Sequence, residues 1–459
     1  MTTKKSSPRT PRRAVHFVGI GGIGMSALAR YFLSQNWAVS GSDAAAGTIT
    51  QSLIKDGVKA KIGHKKAYLP PSTELVVTTQ AINNKNNPEV QEALRRGMRV
   101  LTYPEAVGEL TRRYKTVAIA GSHGKSTTTA LSALTLIKAG LDPTVIVGTN
   151  LKEFGGKNFR AGKSELLVLE ADEFGRAFYH YFPLVAIVTN IDREHLDVYK
   201  NIADAKSAFL RFLGNTVDGG ALILNRDDKN LYSLKKDVTA LAKRKHLVVA
   251  WYSLKDRSAA KIKKTLKIFG EHNISNAAAV YQLGKLLKIS EKDIFAALGA
   301  YGGAWRRMEY RGTAKIKNIK EPALVYDDYA HHPTEIKATL AAFKKQFPER
   351  PLVCVFQPHQ GKRLELLFRE FTTAFDFADA VILLPLYKVR GRDEKFARDS
   401  LDLARAAQQR MAKKQVVYLE NPSKLQVAVN DLLISRSPLI VMMGAGDIVD
   451  HTQKLLSLR

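Results

Sequence analysis

A single cysteine in 459 residues leaves no material for a disulfide framework or a thiol-rich metal site. That residue, Cys354, lies in the apolar run LVCVF, and a reducing cytoplasm suits such a chain. No stretch approaches the ~18 consecutive apolar residues of a membrane span, so no membrane association is expected. Acid is also short: 43 Asp and Glu stand against 71 Lys and Arg, a net charge of +28. Such a balance suits nucleic acid or anionic substrates. The cations are spread over the whole length, however, with only a modest concentration at 243–267. Aromatics, 8% of the chain, are not interleaved with them as a base-stacking surface requires. Nucleic acid is therefore not an expected partner. Residues 1–13 carry Lys4, Lys5, Arg9, Arg12 and Arg13 with no apolar segment behind them. They read as a disordered basic tail and not as a secretory signal.

What the chain does have is alternation. Short apolar runs and segments of helical period follow one another almost throughout, the pattern of an α/β protein with mostly parallel sheets. Its length exceeds what one core supports. Three α/β domains are expected, over 14–113, 114–303 and 304–459.

The densest signal is AIAGSHGKSTTTAL, residues 118–131. It reads as a buried strand, a turn through Gly121, Ser122, His123 and Gly124, and a helix opening on Lys125, Ser126 and Thr127. Backbone N–H groups of such a turn converge on an anion, and the helix adds its positive dipole end. Lys125 supplies charge for terminal phosphates, and the Ser126 hydroxyl suits Mg²⁺. The longer phosphate-loop pattern wants glycine where Ile119 stands. A second glycine motif, Gly19-x-Gly21-x-x-Gly24, with Gly22 inside it, joins a strand to a helix; Asp43 follows nineteen residues after Gly24. It indicates a diphosphate, from a dinucleotide or a nucleotide sugar.

Further candidates cluster at strand ends, where open α/β sheets gather ligands. Glu170 closes one apolar strand, followed by Asp172 and Glu173, and His195 and Asp197 lie just past another. Glu170 and His195 should thus meet the phosphate loop, as oxygen and imidazole ligands for Mg²⁺. Asn273 and Asn276, three apart on a helix, present two amides on one face beside His272, which suits adenine or ribose. Arg306 and Arg307 follow a glycine pair at a domain junction. In DDYAHHPTE (327–335), Asp327, Asp328, His331 and His332 gather at a strand-to-helix loop, with Pro333 at the first helical position and Glu335 in the first turn.

Taken in order, GIGGIGMSALA, GSHGKSTTT, EADE, VTNIDREHLDVY, HNISNAAA, RRMEYRG, DDYAHHPTEI, VFQPH and MMGAGD resemble the Mur ligase superfamily from about residue 14 to 448. The resemblance implies a Rossmann-like N-terminal domain for a uridine nucleotide, a central P-loop ATPase domain, and a Rossmann-like C-terminal domain that helps bind an amino acid. It implies ATP-dependent ligation of L-alanine to UDP-N-acetylmuramate through an acyl phosphate, with the protein a cytoplasmic monomer or weak homodimer.

Carried over motif by motif, Gly19, Gly21, Gly22, Gly24 and Asp43 would bind the UDP-sugar. Gly121, Ser122, His123, Gly124, Lys125, Ser126, Thr127, Asn273, Asn276 and Arg307 would bind ATP. Ser126, Glu170 and His195 would hold Mg²⁺, and Lys125, Arg307, Asp328, His331 and His332 would be catalytic. The chain departs from the family in Ser126 for threonine, GGAWRR for G-T-G-R-R, Gln360 for arginine, and a short 225–272 segment. Inside the family the rival is a murein tripeptide ligase of cell-wall recycling. Outside it stand a nicotinamide oxidoreductase and a nucleic-acid-stimulated ATPase.

Overall fold

The computed structural model describes residues 12–388 and 396–457. All but the last two residues of the expected basic tail fall outside that range. Three sheets follow one another along the chain.

The first has five parallel strands in the spatial order 59–62, 38–43, 14–18, 75–78, 99–102. Its order reverses between Ala14–Val18 and Leu75–Thr78, so a crevice opens past Val18 and Thr78, where parallel sheets take their ligands. Local signals set the flanking helices. Asn87 caps Pro88–Arg95 through two backbone N–H groups, with proline at the first turn, and Thr102 and Glu105 form a reciprocal box at Tyr103–Arg113.

The second sheet has seven strands, ordered 248–252, 221–225, 185–188, 115–120, 166–170, 144–151, 157–160, all parallel except the last pair. Its inner strands are unbroken apolar runs because helices cover both faces. The order sets Lys115–Ala120 between Val185–Val188 and Leu166–Glu170. The loop after Ala120 therefore has Glu170 on one side and Thr189 and Asn190 on the other. Between Asn225 and His272 the chain forms helices around one edge strand, Val248–Tyr252.

The third sheet has six strands, ordered 309–314, 323–328, 439–443, 352–356, 380–383, 415–418, with Glu309–Ala314 antiparallel to the rest. The strands ending at Asp328, Phe356 and Met443 lie side by side and turn toward the second domain. One apolar cluster runs through the first and second domains, from Phe17 and Phe32 to Ala118 and Phe209. The third domain has its own clusters on the two faces of its sheet.

Candidate active site

Strand Lys115–Ala120 delivers the chain to a turn at Gly121–Gly124, and helix Lys125–Lys138 leaves it. Two glycines are required. Gly121 and Gly124 have φ of +139° and +82°, and a Cβ on Gly124 would lie 2.4 Å from Asn276 Oδ1. The neighbouring strand pins the turn. Asn190 accepts from the His123 N–H at 2.8 Å, and the Asn190 amide and Thr189 hydroxyl both donate to the His123 carbonyl.

Lys125 Nζ donates to the Gly121 carbonyl at 2.7 Å and to Glu173 at 2.8 Å. Burial works against the ammonium, but Glu173 and Asp172 outweigh it and hold Lys125 above the usual lysine range. Glu173 is fully buried, and despite burial Lys125 and His195 hold it below the usual range. Lys125 thus pairs its charge with a buried carboxylate.

The hydroxyl and carboxylates expected to hold metal form two neighbouring groups. Ser126 Oγ donates to Glu170 at 2.9 Å, and Glu170 also accepts the Gly148 N–H at 2.6 Å. Burial raises the Glu170 pKa, although Lys125 pulls it down. His195 stands instead with Asp172 and Glu173, its Nε2 3.4 Å from Glu173. Carboxylate and hydroxyl oxygens with one imidazole are a donor set that fits Mg²⁺.

Two cavities of about 600 Å³ each open on the phosphate loop and share His123, Gly124, Arg307 and Glu335 in their walls. The first is walled by Thr127, Asn225, His272, Asn273, Asn276 and Tyr301, which brings the two predicted amides to the nucleotide side of the loop. Asn273 also donates to the Phe269 carbonyl at 2.8 Å; Gly270 is the helix cap, so neither amide is spent on capping. The second cavity reaches from Gly22 and Gly24 of the first domain, past Lys125, Ser126 and Glu170, to His331 and Arg363 of the third. Gly19, Gly21 and Asp43 wall neither cavity; Asp43 accepts the Gly21 N–H at 2.8 Å and fixes the turn.

Of the arginine pair, Arg307 faces both cavities, while Arg306 is 4% exposed and donates to the Gly444 carbonyl. Asp328 accepts the Met308 and Ala330 N–H groups, and burial raises its pKa to about 6 against the pull of Arg307. His331 Nδ1 bonds the Tyr329 carbonyl at 2.9 Å, which makes that nitrogen the donor and leaves Nε2 a lone pair. Burial and the Arg363 guanidinium push its pKa down to about 4. His332 walls neither cavity. It caps helix Pro333–Gln346 and bonds the Arg193 carbonyl at 3.2 Å. Glu194, next to His195 in sequence, forms a 2.6 Å pair with Arg363, both almost wholly buried. The sequence reading assigned no role to Glu194, Arg363 or Asp192. Asp192 and Glu194 lie within VTNIDREHLDVY, whereas Arg363 lies past the end of VFQPH.

Family models match three successive parts of the chain: "Mur ligase family, catalytic domain" over 14–115, "Mur ligase middle domain" over 119–284, and "Mur ligase, glutamate ligase domain" over 306–446. A UDP-N-acetylmuramate–L-alanine ligase of Desulforapulum autotrophicum is 38% identical over 463 residues, covering 97% of this chain and 98% of the relative. One from Clostridium botulinum is 36% identical over 467 residues, with 97% of each covered. Among solved structures, the UDP-N-acetylmuramate-alanine ligase of Thermotoga maritima superposes with a TM-score of 0.77 at 26% identity, covering 96% of this chain and 98% of that one. A murein peptide ligase of Psychrobacter arcticus shares the fold with a TM-score of 0.67 at 22% identity, covering 97% and 98%.

Proposed function

We propose a reaction for this chain from one premise: it belongs to the Mur ligase family. It joins L-alanine to UDP-N-acetylmuramate with cleavage of ATP to ADP and phosphate, the first peptide-adding step of peptidoglycan precursor synthesis. The observation that carries this reading is the meeting of two cavities on one phosphate loop, one walled by amides and one reaching two other domains.

A carboxylate resists attack by an amine until one of its oxygens becomes a leaving group. The muramate carboxylate oxygen attacks the γ-phosphorus of ATP, ADP leaves, and an acyl phosphate forms. The amine nitrogen then attacks the acyl carbon, phosphate leaves, and a proton departs from nitrogen. Lys125 exchanges Glu173 for the terminal phosphates, and Arg307, facing both cavities, neutralises charge passing between them. Mg²⁺, when bound, screens the phosphate from the incoming carboxylate; Ser126 with Glu170, and His195, would hold it. Asn273 and Asn276 bind the nucleoside. His331, which walls the second cavity and keeps an Nε2 lone pair, takes the proton, while both ring nitrogens of His332 are engaged by backbone groups. Gly22 and Gly24 receive the UDP-sugar, with Asp43 shaping their turn.

The experiment is ADP release by the purified protein with each reactant omitted in turn. Release that requires both L-alanine and UDP-N-acetylmuramate supports the assignment. Release with a preformed tripeptide but not alanine would transfer it to the recycling ligase. We set the domain divisions at 113/114 and 303/304, supported by where the three sheets begin and end. No described helix is long and apolar enough to cross a membrane, and a cytoplasmic monomer or weak homodimer is our reading.

A further inference from the structure

A second cluster of ligand-type side chains lies across the boundary between the second and third domains, beside the phosphate loop. His123 and Asp192 come from the second domain, His332 from the third. One ligand atom of each lies within 4.8 Å of the other two. His123 Nε2 is 2.9 Å from Asp192 Oδ2, and His332 Nδ1 is 3.6 Å from the same oxygen. Ligands of a tetrahedral ion with bonds of about 2.0–2.1 Å stand roughly 3.4 Å apart, so small shifts centre a metal among them.

The outer nitrogens decide the chemistry. His123 Nδ1 lies 3.3 Å from Glu335 Oε1, and His332 Nε2 bonds the Arg193 carbonyl at 3.2 Å. Each ring thus has an acceptor on its far side, as in carboxylate–histidine–metal arrangements; on the near side His123 Nε2 meets Asp192 and His332 Nδ1 accepts the Thr334 N–H at the helix start, contacts that an entering ion replaces. A divalent ion entering beside Asp192 displaces the proton of His123 Nε2, while Glu335 stays on the ring's far nitrogen. Two imidazoles and one carboxylate favour zinc-class ions over Mg²⁺.

We propose that His123, Asp192 and His332 form a site for a zinc-class divalent cation that bridges the second and third domains. Because His123 belongs to the phosphate loop and His332 is the N-cap of helix Pro333–Gln346 in the third domain, the bound ion ties that domain to the loop.

The test is Zn²⁺ titration of the full chain by calorimetry, in buffer holding excess Mg²⁺, on the parent, His332→Ala, Asp192→Asn and His195→Ala. The last variant removes the imidazole of the Asp172–Glu173–His195 group, the other place where zinc would bind. Loss of one binding event in His332→Ala and Asp192→Asn, with that event kept in His195→Ala, supports the site. An unchanged isotherm in His332→Ala, or loss in His195→Ala alone, overturns it. Should either variant fold poorly, zinc-edge anomalous diffraction from the parent decides. A peak between His123 and His332 supports the proposal, and no peak there refutes it.

Discussion

Lys125 and Glu173 show how one residue serves both folding and chemistry. Removing the lysine deletes the charge assigned to the terminal phosphates, and loss of such a group typically lowers turnover by roughly a hundredfold to a thousandfold. It also breaks a buried ion pair and leaves Glu173 with His195 alone, a loss of up to about 3 kcal/mol. Lys125→Ala should therefore lose both turnover, read by ADP release, and melting temperature, read by circular dichroism. Adding Glu173→Gln should restore the second and not the first; retained turnover in the single variant would refute the assigned role. Asp328 gives a pH dependence. Its folded pKa, raised to about 6, lies above the unfolded value of about 3.9, so the native state holds the proton longer. The stabilisation is present at low pH and is lost as pH rises from about 4 through 6. Denaturant titrations across that window should show a fall of about 3 kcal/mol attributable to this group. Asp328→Asn should lack that part of the slope.

The strand, turn and helix from Lys115 to Lys138 act as one element whose conformation is set at two glycines. Alanine at Gly124 must adopt φ near +82° and push into Asn276, a strain of about 1–3 kcal/mol placed where phosphate should bind. Gly140, just past the other end of the same helix, has φ of +77° but open space around its Cβ position. Gly124→Ala should weaken ATP binding about tenfold or more in a fluorescence titration, while Gly140→Ala should leave it unchanged. Equal losses in both would show that the backbone, and not the contact with Asn276, matters. This element was legible in advance, because an apolar run, a glycine turn and a lysine at the helix start are local signals. The division of Arg306 from Arg307 was not. Both follow the same glycines, and only the third sheet's position ties Arg306 to Gly444 at the wall of the second cavity and turns Arg307 toward both.

At the scale of the whole molecule, the first two domains share an apolar cluster, whereas the third packs its own, touched by Leu196 and Phe269 of the second, and adds polar contacts such as Thr334 to Asp192 at 2.7 Å. Calorimetric melting should resolve two transitions, the one belonging to the third domain moving upward when an ATP analogue and UDP-N-acetylmuramate are both present. A single transition unmoved by ligand would contradict that division. The sequence by itself determined the α/β class, the phosphate loop, the strand-end address of Glu170 and His195, and the family. Each rests on short-range patterns of apolar period, glycine and charge. Only the tertiary structure decided that His195 stands with Glu173 while Ser126 stands with Glu170, that His331 faces the cavity while His332 turns into a domain boundary, and that Glu194 meets Arg363. Those pairings join residues far apart in sequence, and they are fixed by the packing of three separate sheets, which no local pattern encodes.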